Sequence, residues 1–350
     1  MKTNYIIKSV LAFTILSQVA HAQDIHFSQF AETPSIINPA LAGVRYNTSI
    51  TANYKDQWGS VANKYQTVGL SFEQRLKFRK MKNNFFALSI NIFKDAAGDA
   101  HLNTLNPNIG LCYLQRINKN MIVSGGLQGG FIYRTIDVSN LRWGQQYNGY
   151  SYDANLPSGE TTPRSSITSY DLGGGVNFSY SQSDKFISSR SATKINFGVS
   201  AYHFGLGNTS FMTTTDPLET RVCAYFNGDF NIPNTKNAIM PNFLYMRQGP
   251  STEVIMGALL KFIVVDQSTY TSNKKPFAIA IGGYYRYQDA IIPALLMQYD
   301  TYALGISYDI NVSALTPASQ KFGGLELMLR YNLFPGYGKN LGRSDTKPSY

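Results

Sequence analysis

A chain of 350 residues with a net charge of +10, 15% charged residues, 24 Tyr, 21 Phe and 29 Gly does not resemble a soluble enzyme, in which roughly a quarter of residues are charged. Its basic residues are scattered rather than blocked, which excludes a nucleic-acid patch and suits an anionic membrane or partner surface. Cys112 and Cys223 form neither a disulfide framework nor a Cys-x-x-Cys metal pair, so they read as small buried residues.

The first 22 residues predict an export signal. Lys2 and Lys8 lead a short apolar core from Val10 to Leu16, and Ala20-His21-Ala22 offers a cleavage site before Gln23. That core is shorter than the roughly 20 residues a spanning helix needs. Residues 23–44 follow without a period of 2 or 3.6, yet Phe27, Phe30, Ile36, Ile37 and Leu41 make them too apolar for a tail.

Alternation begins at Tyr46 and runs through residues 45–334. Tyr46, Thr48, Ile50, Ala52 and Tyr54 share one face, with aromatic ends eight residues apart; Asn47, Ser49, Thr51 and Asn53 share the other. Further along, Tyr170, Leu172, Val176, Phe178 and Tyr180 oppose Asp171, Gly173, Gly175, Asn177 and Ser179. About fourteen such segments centre near Ile50, Leu70, Ile90, Leu111, Leu127, Val176, Val199, Ala224, Phe243, Ala258, Ile281, Leu295, Ile306 and Leu327. The two weakest contain Pro241 and Pro293. A soluble β-sandwich also alternates, but here the charge-poor apolar faces end in aromatics and the small polar faces hold the charges. The fold class is therefore all-β, an outer-membrane antiparallel barrel of about 14 strands.

The longest connection, from about Asp137 to Ser166, falls outside the cell if both termini are periplasmic. Its Trp143, Tyr147, Tyr150 and Tyr152, among Asn, Gly and Ser, suit adaptable protein contacts as well as an ordinary solvated loop. Residues 335–350 form a short basic tail, expected in the periplasm. The inward faces carry both signs: Lys55, Glu73, Arg75, Asp171, Arg221, Asp229, Glu253, Lys261, Arg286, Glu326 and Arg330. A selective pore favours a ring of one sign; mixed signs suit a filled lumen, with a polar, water-filled one as the alternative. Small inward pairs, Gly69/Ser71 and Gly173/Gly175, leave room for an inserted segment. Residues 23–44 are the candidate plug, with Pro34 and Pro39 stiffening it, Gly43 supplying a turn, and Phe27, Ile36 and Leu41 packing inside.

Nothing points to catalysis. His26, His101 and His203 lack a second ligand at metal spacing, the glycine clusters sit on strand-like segments, and no Gly-x-Ser-x-Gly elbow occurs. No cofactor or metal is implied.

Asp24, Phe27-Ser28-Gln29-Phe30, Pro34, Asn38-Pro39-Ala40 and Gly43, followed by Asn53-Tyr54-Lys55-x-Gln57-Trp58, resemble the N-terminal signature of the PorP/SprF family. These are outer-membrane proteins of the type IX secretion and gliding-motility apparatus of Bacteroidota. The family usually shows Asp-Pro-x-Phe-Ser-Gln and Asn-Tyr-Arg, so Ile25 and Lys55 depart from it. The Asn-Pro-Ala segment ahead of the barrel is also similar to FadL-type transporters, whose N-terminal segment plugs the lumen. The resemblance implies a non-enzymatic barrel that docks or retains a secreted cargo protein through the cargo's C-terminal domain. Translocon components, periplasmic ring lipoproteins and outer-membrane lipids or lipopolysaccharide are further implied partners. Transport of small hydrophobic solutes and a scaffold joining translocon to ring are the alternatives.

Overall fold

The computed structural model describes residues 24–333 apart from Ile25 and the segments 58–64, 77, 79–80, 82, 99–101, 138–141, 160–163, 184–191, 205–207, 209, 212–216, 266–274, 314–315 and 317–319. The export signal, Trp58, His101 and the tail at 335–350 lie outside the described residues.

Among those described, fourteen strands form one closed antiparallel barrel. They are β1 (Thr48–Gln57), β2 (Tyr65–Leu76), β3 (Asn84–Ala97), β4 (Leu102–Arg116), β5 (Met121–Thr135), β6 (Ser166–Ser183), β7 (Ala192–Tyr202), β8 (Arg221–Asn231), β9 (Asn237–Gln248), β10 (Ser251–Val265), β11 (Phe277–Arg286), β12 (Ala290–Tyr299), β13 (Tyr302–Asn311) and β14 (Phe322–Leu333). Each expected centre falls within one strand. Pairing of β1 with β14, from Thr48↔Leu333 to Gln57↔Gly324, closes the barrel and leaves no sheet edge.

The side chains divide as the alternation requires. Ser49, Thr51, Asn53 and Lys55 are enclosed, whereas Ile50 between them faces out. Leu127 is 72% exposed and Val176 and Ile109 are similarly bare, an apolar exterior that water would not tolerate. One expectation is corrected. Tyr46 precedes β1 and does not cap an outward band; its ring lies beneath the Arg330 guanidinium at 4.9 Å, and its hydroxyl accepts from Arg330 at 3.2 Å.

The strand prolines have a specific cost. Between β8 and β9 the register skips from Asn227↔Asn242 to Phe230↔Ile239, around Pro241. Between β12 and β13 it skips from Ile291↔Ile310 to Ala294↔Ser307, around Pro293. A third gap surrounds Pro107. Proline has no N–H for the ladder on that side, while pairing on its other side continues, as Pro241↔Ala258 and Pro293↔Gly283 show. The interruption is one-sided, so the strands persist.

Thr48 and Leu333 meet at one end of the barrel, the root mouth. Connections after odd-numbered strands, including the long β5–β6 and β7–β8 segments, gather at the opposite end, the loop mouth. The N-terminal segment runs between the two inside the wall. It contains three single helical turns: Phe30–Glu32, α1 (Pro34–Ile37) and Pro39–Leu41. Pro34 and Pro39 each open a turn, where a missing N–H costs nothing, so they do more than stiffen the chain. Asp24 contacts Arg221 and Gln248 at the loop mouth. Asp24 thus lies at the opposite mouth from Leu333; the chain ends themselves, expected on the periplasmic side, lie outside the described residues.

Leu127→Arg places a cation near the middle of the exterior band and is expected to destabilise the barrel by about 2–4 kcal/mol, read from urea unfolding in lipid vesicles. An unchanged midpoint would contradict a lipid-facing Leu127.

Candidate functional site

The lumen is the one place where these polar faces converge, and the N-terminal segment occupies it. Phe27, Phe30, Ala40 and Leu41 are all buried there, as are Ser28, Gln29 and Asn38. A segment without strand pairing leaves N–H and C=O groups open, and each must find a partner in an enclosed site. The wall supplies those partners in four groups.

At the loop mouth, the Asp24 carboxylate lies 3.1 Å from Arg221 and bonds His203 Nε2, while His203 Nδ1 sits 2.8 Å from Asp171. One turn deeper, Glu326 accepts the Ser28 and Gln29 backbone N–H groups at 2.7 and 3.0 Å. Ser28 Oγ donates to Asp309 at 3.1 Å and accepts from Arg286 at 2.8 Å, and Lys55 Nζ donates to the His26 carbonyl at 3.1 Å. His26 Nδ1 lies 3.3 Å from Glu253.

Further in, Glu32 pairs with Arg330 and, at 3.5 Å, with Arg45. Asn38 then caps the Pro39 turn by accepting from Ala40 N, while its amide donates to the Val176 and Val199 carbonyls at 3.0 and 3.1 Å. Ser124 Oγ and Cys112 Sγ donate to the Ala40 carbonyl. At the root end, Gly43 donates to Glu73 at 3.2 Å and accepts from Arg75 Nε at 3.0 Å. Gly43 has φ +70° and lies against Ala87, so its turn requires glycine.

Of the eleven inward charges read from the sequence, Lys55, Glu73, Arg75, Arg221, Glu253, Arg286, Glu326 and Arg330 bond or pair with the plug directly. Asp171 reaches it through His203, and Asp229 and Lys261 face each other at 3.8 Å. The small inward faces act as expected at Gly175, which faces Asn38, and at Gly69, which faces Phe27; Gly173 instead faces Tyr202. Of the Asn53–Gln57 motif, Asn53 and Lys55 point inward and Tyr54 outward, while Gln57 ends β1. Cys112 and Cys223 are free and buried, and the described residues contain no group that could hold a metal ion.

A family profile, "Type IX secretion system membrane protein PorP/SprF", matches residues 19–331. The chain belongs to the PorP/SprF family. It is thus an outer-membrane barrel of the type IX secretion system. No curated protein matches it. Among solved structures, this PorP/SprF chain is similar to the TodX monoaromatic hydrocarbon channel deltaS2 mutant (9% identity, TM-score 0.42, covering 86% of this chain and 94% of that one). It is also similar to BamA from Haemophilus ducreyi lacking POTRA domains 1–3 (10% identity, TM-score 0.41, 83% and 71%) and to the CymD monoaromatic hydrocarbon channel (10%, 0.39, 87% and 93%). These distant likenesses carry no functional weight.

His203, Glu32 and Arg45 are the PorP/SprF plug contacts that periodicity alone does not reveal. His203 follows directly on β7 and has a positive φ of 59°; only the closed barrel brings it to Asp24. Burial opposes its protonation, but Asp24 and Asp171 outweigh burial and raise its pKa to about 9. Burial likewise pushes the Asp24 carboxyl up, yet Arg221 and His203 hold it well below the usual carboxylate range. Burial, then Lys55 and Arg286, push His26 well down, so it faces Glu253 as a neutral donor.

The sign follows from these directions. The raised His203 pKa contributes stability that is complete below its ordinary value of 6.5 and is lost as pH rises through about 9. The lowered Asp24 pKa contributes above its ordinary 3.8 and is lost only in strong acid. Proteolysis at the Asp24 end of the plug is therefore expected to accelerate from pH 7 to pH 10, and His203→Gln to remove that dependence; a flat wild-type profile would contradict a role for charged His203 in holding Asp24. Arg330→Met leaves Glu32 buried beside Arg45 alone and is expected to cost about 3 kcal/mol in urea unfolding. Adding Glu32→Gln should recover most of the loss, whereas an additive double variant would show that the two do not act as a pair.

Proposed function

We propose that this protein docks a secreted cargo protein at its loop mouth and is not itself a conduit. The observation that carries the reading is an ordered hairpin in the β5–β6 connection with its aromatic tip in solvent, above a lumen already occupied by the plug. Gln146 is buried and its amide donates to the Leu156 carbonyl at 3.0 Å, while its own carbonyl accepts from Asp153 N at 2.8 Å. Tyr147 bridges to Tyr152, and Arg142 lies over the Tyr152 ring at 5.0 Å. Tyr150 is 95% exposed at the tip. Trp143 precedes the short Gly144–Gln146 turn, and Arg164 N donates to Phe211 O of the β7–β8 connection at 2.9 Å.

An aromatic ring held out by an ordered loop can bury area on a partner at small entropic cost. The reading also agrees with the family's place in secretion. The partner expected is the C-terminal domain of a type IX cargo, held on the outer face of the membrane. Solute transport would require Asn38–Gly43 to leave the wall against all the contacts described above, so docking is preferred.

Replacing residues 138–163 by a short Gly-Ser turn is expected to leave the folded barrel in the outer membrane and to shift the cargo from cells to medium. Tyr147→Ala with Tyr150→Ala should do so in part. Cargo still held at the cell surface after the replacement would overturn the reading.

A further inference from the structure

At the root mouth the wall and the end of the plug leave a cavity of about 230 Å³. Five cations line it: Arg45 just after the plug, Arg116 at the end of β4, Lys119 from the β4–β5 turn, Lys194 from β7 and Lys261 from β10. Among its lining residues the sole acid is Asp229, 3.8 Å from Lys261. Arg45 is engaged by Glu32 and the Ala31 carbonyl. Asp229 cannot balance Lys194, Lys119 and Arg116 as well as Lys261. The cavity thus concentrates positive potential between low-dielectric walls, where it attracts an anion most strongly. The contrast with the rest of the lumen is sharp, because elsewhere the cations meet carboxylates or plug carbonyls.

Its remaining surface is of two kinds. Asn196 and Asn227 offer amide donors beside the lysines, and Val44, Ile122 and Met240 form an apolar floor. A water molecule takes about 30 Å³ of liquid volume, so the space suits a ligand of modest size rather than a folded partner. We propose that the root mouth is a binding site for an organic oxyanion. A phosphate or carboxylate head sits among Lys119, Lys194 and Lys261, with a short alkyl stem over Val44, Ile122 and Met240. Such an anion comes either from a free metabolite-sized molecule or from a lipid headgroup with its first chain carbons. The site is at the opposite mouth from the β5–β6 hairpin, so it does not depend on cargo docking.

The test is calorimetric titration of the purified full chain in neutral detergent at low salt. Butyl phosphate is the probe, with inorganic phosphate and 1-butanol as controls. The expected result is saturable binding of one butyl phosphate per barrel, weakened by added salt and at least about tenfold tighter than inorganic phosphate. Lys119→Gln with Lys194→Gln should weaken it at least about tenfold, as loss of charge-assisted bonds does. Lys119 is exposed in a turn, so Lys119→Gln alone, with unaltered heat-modifiable gel migration, separates binding from folding. Competition by dihexanoyl phosphatidic acid assigns the site to lipid headgroups, and its failure to compete assigns a soluble alkyl anion. Absence of saturable binding, equal binding of 1-butanol or of inorganic phosphate, or full binding by the double variant would overturn the proposal.

Discussion

Everything in this molecule follows from one constraint: a non-strand segment enclosed by a barrel must have its backbone polar groups satisfied by the wall. Residues 24–44 present free N–H groups at Ser28, Gln29 and Gly43, and free carbonyls at His26, Ala31, Ala40 and Gly43. The wall answers N–H with carboxylate and C=O with cation, hydroxyl or thiol, while Arg45, just past the segment, answers the Ala31 carbonyl. The mixture of signs on the inner faces is the complement of a peptide backbone, which carries donors and acceptors alike. A lumen built to conduct one ion type would have no use for it.

Packing obeys the same constraint. The wall is cut back where the plug passes: a Cβ at Gly126 would strike the Pro39–Ala40 backbone, one at Gly175 would strike Asn38, and one at Gly305 would strike Gln29. Between these contacts, Phe27 and Ile36 pack with Phe93, and Phe30 lies against Tyr284 at 6.2 Å. Charge pairs this deeply enclosed add little net stability over apolar packing, and their value is in fixing one arrangement. Here that arrangement sets the plug's path from one mouth to the other.

Much of this was legible in the sequence, for a physical reason. Strand alternation is local, so each of the fourteen centres and both faces could be read from short windows. Even the segments with Pro241 and Pro293 obey it, since a proline breaks the ladder on one side only. The plug was legible by failing that test while staying apolar, and the wall charges by falling on the inward face. What stayed hidden depends on closure of the barrel. Asp24 meets His203 and Arg221 across 179 and 197 positions, and nothing near His203 signals it. Tyr46 fitted the outward pattern but precedes the ladder, so it was free to turn under Arg330. The anion cavity gathers residues from eight strands, the β4–β5 turn and the segment before β1, none of them unusual in its own window.

A filled lumen changes where function can reside. The loop mouth offers an aromatic hairpin on a closed base, and the root mouth offers a small basic cavity; the two are separated by the plug. The most direct measurement is hydrogen exchange, by mass spectrometry, of the full chain in lipid nanodiscs. If the wall holds the plug, peptides covering residues 27–44 exchange as slowly as the strands, and far more slowly than the hairpin at 147–152. Exchange of the plug within seconds, at the rate of that hairpin, would contradict the account.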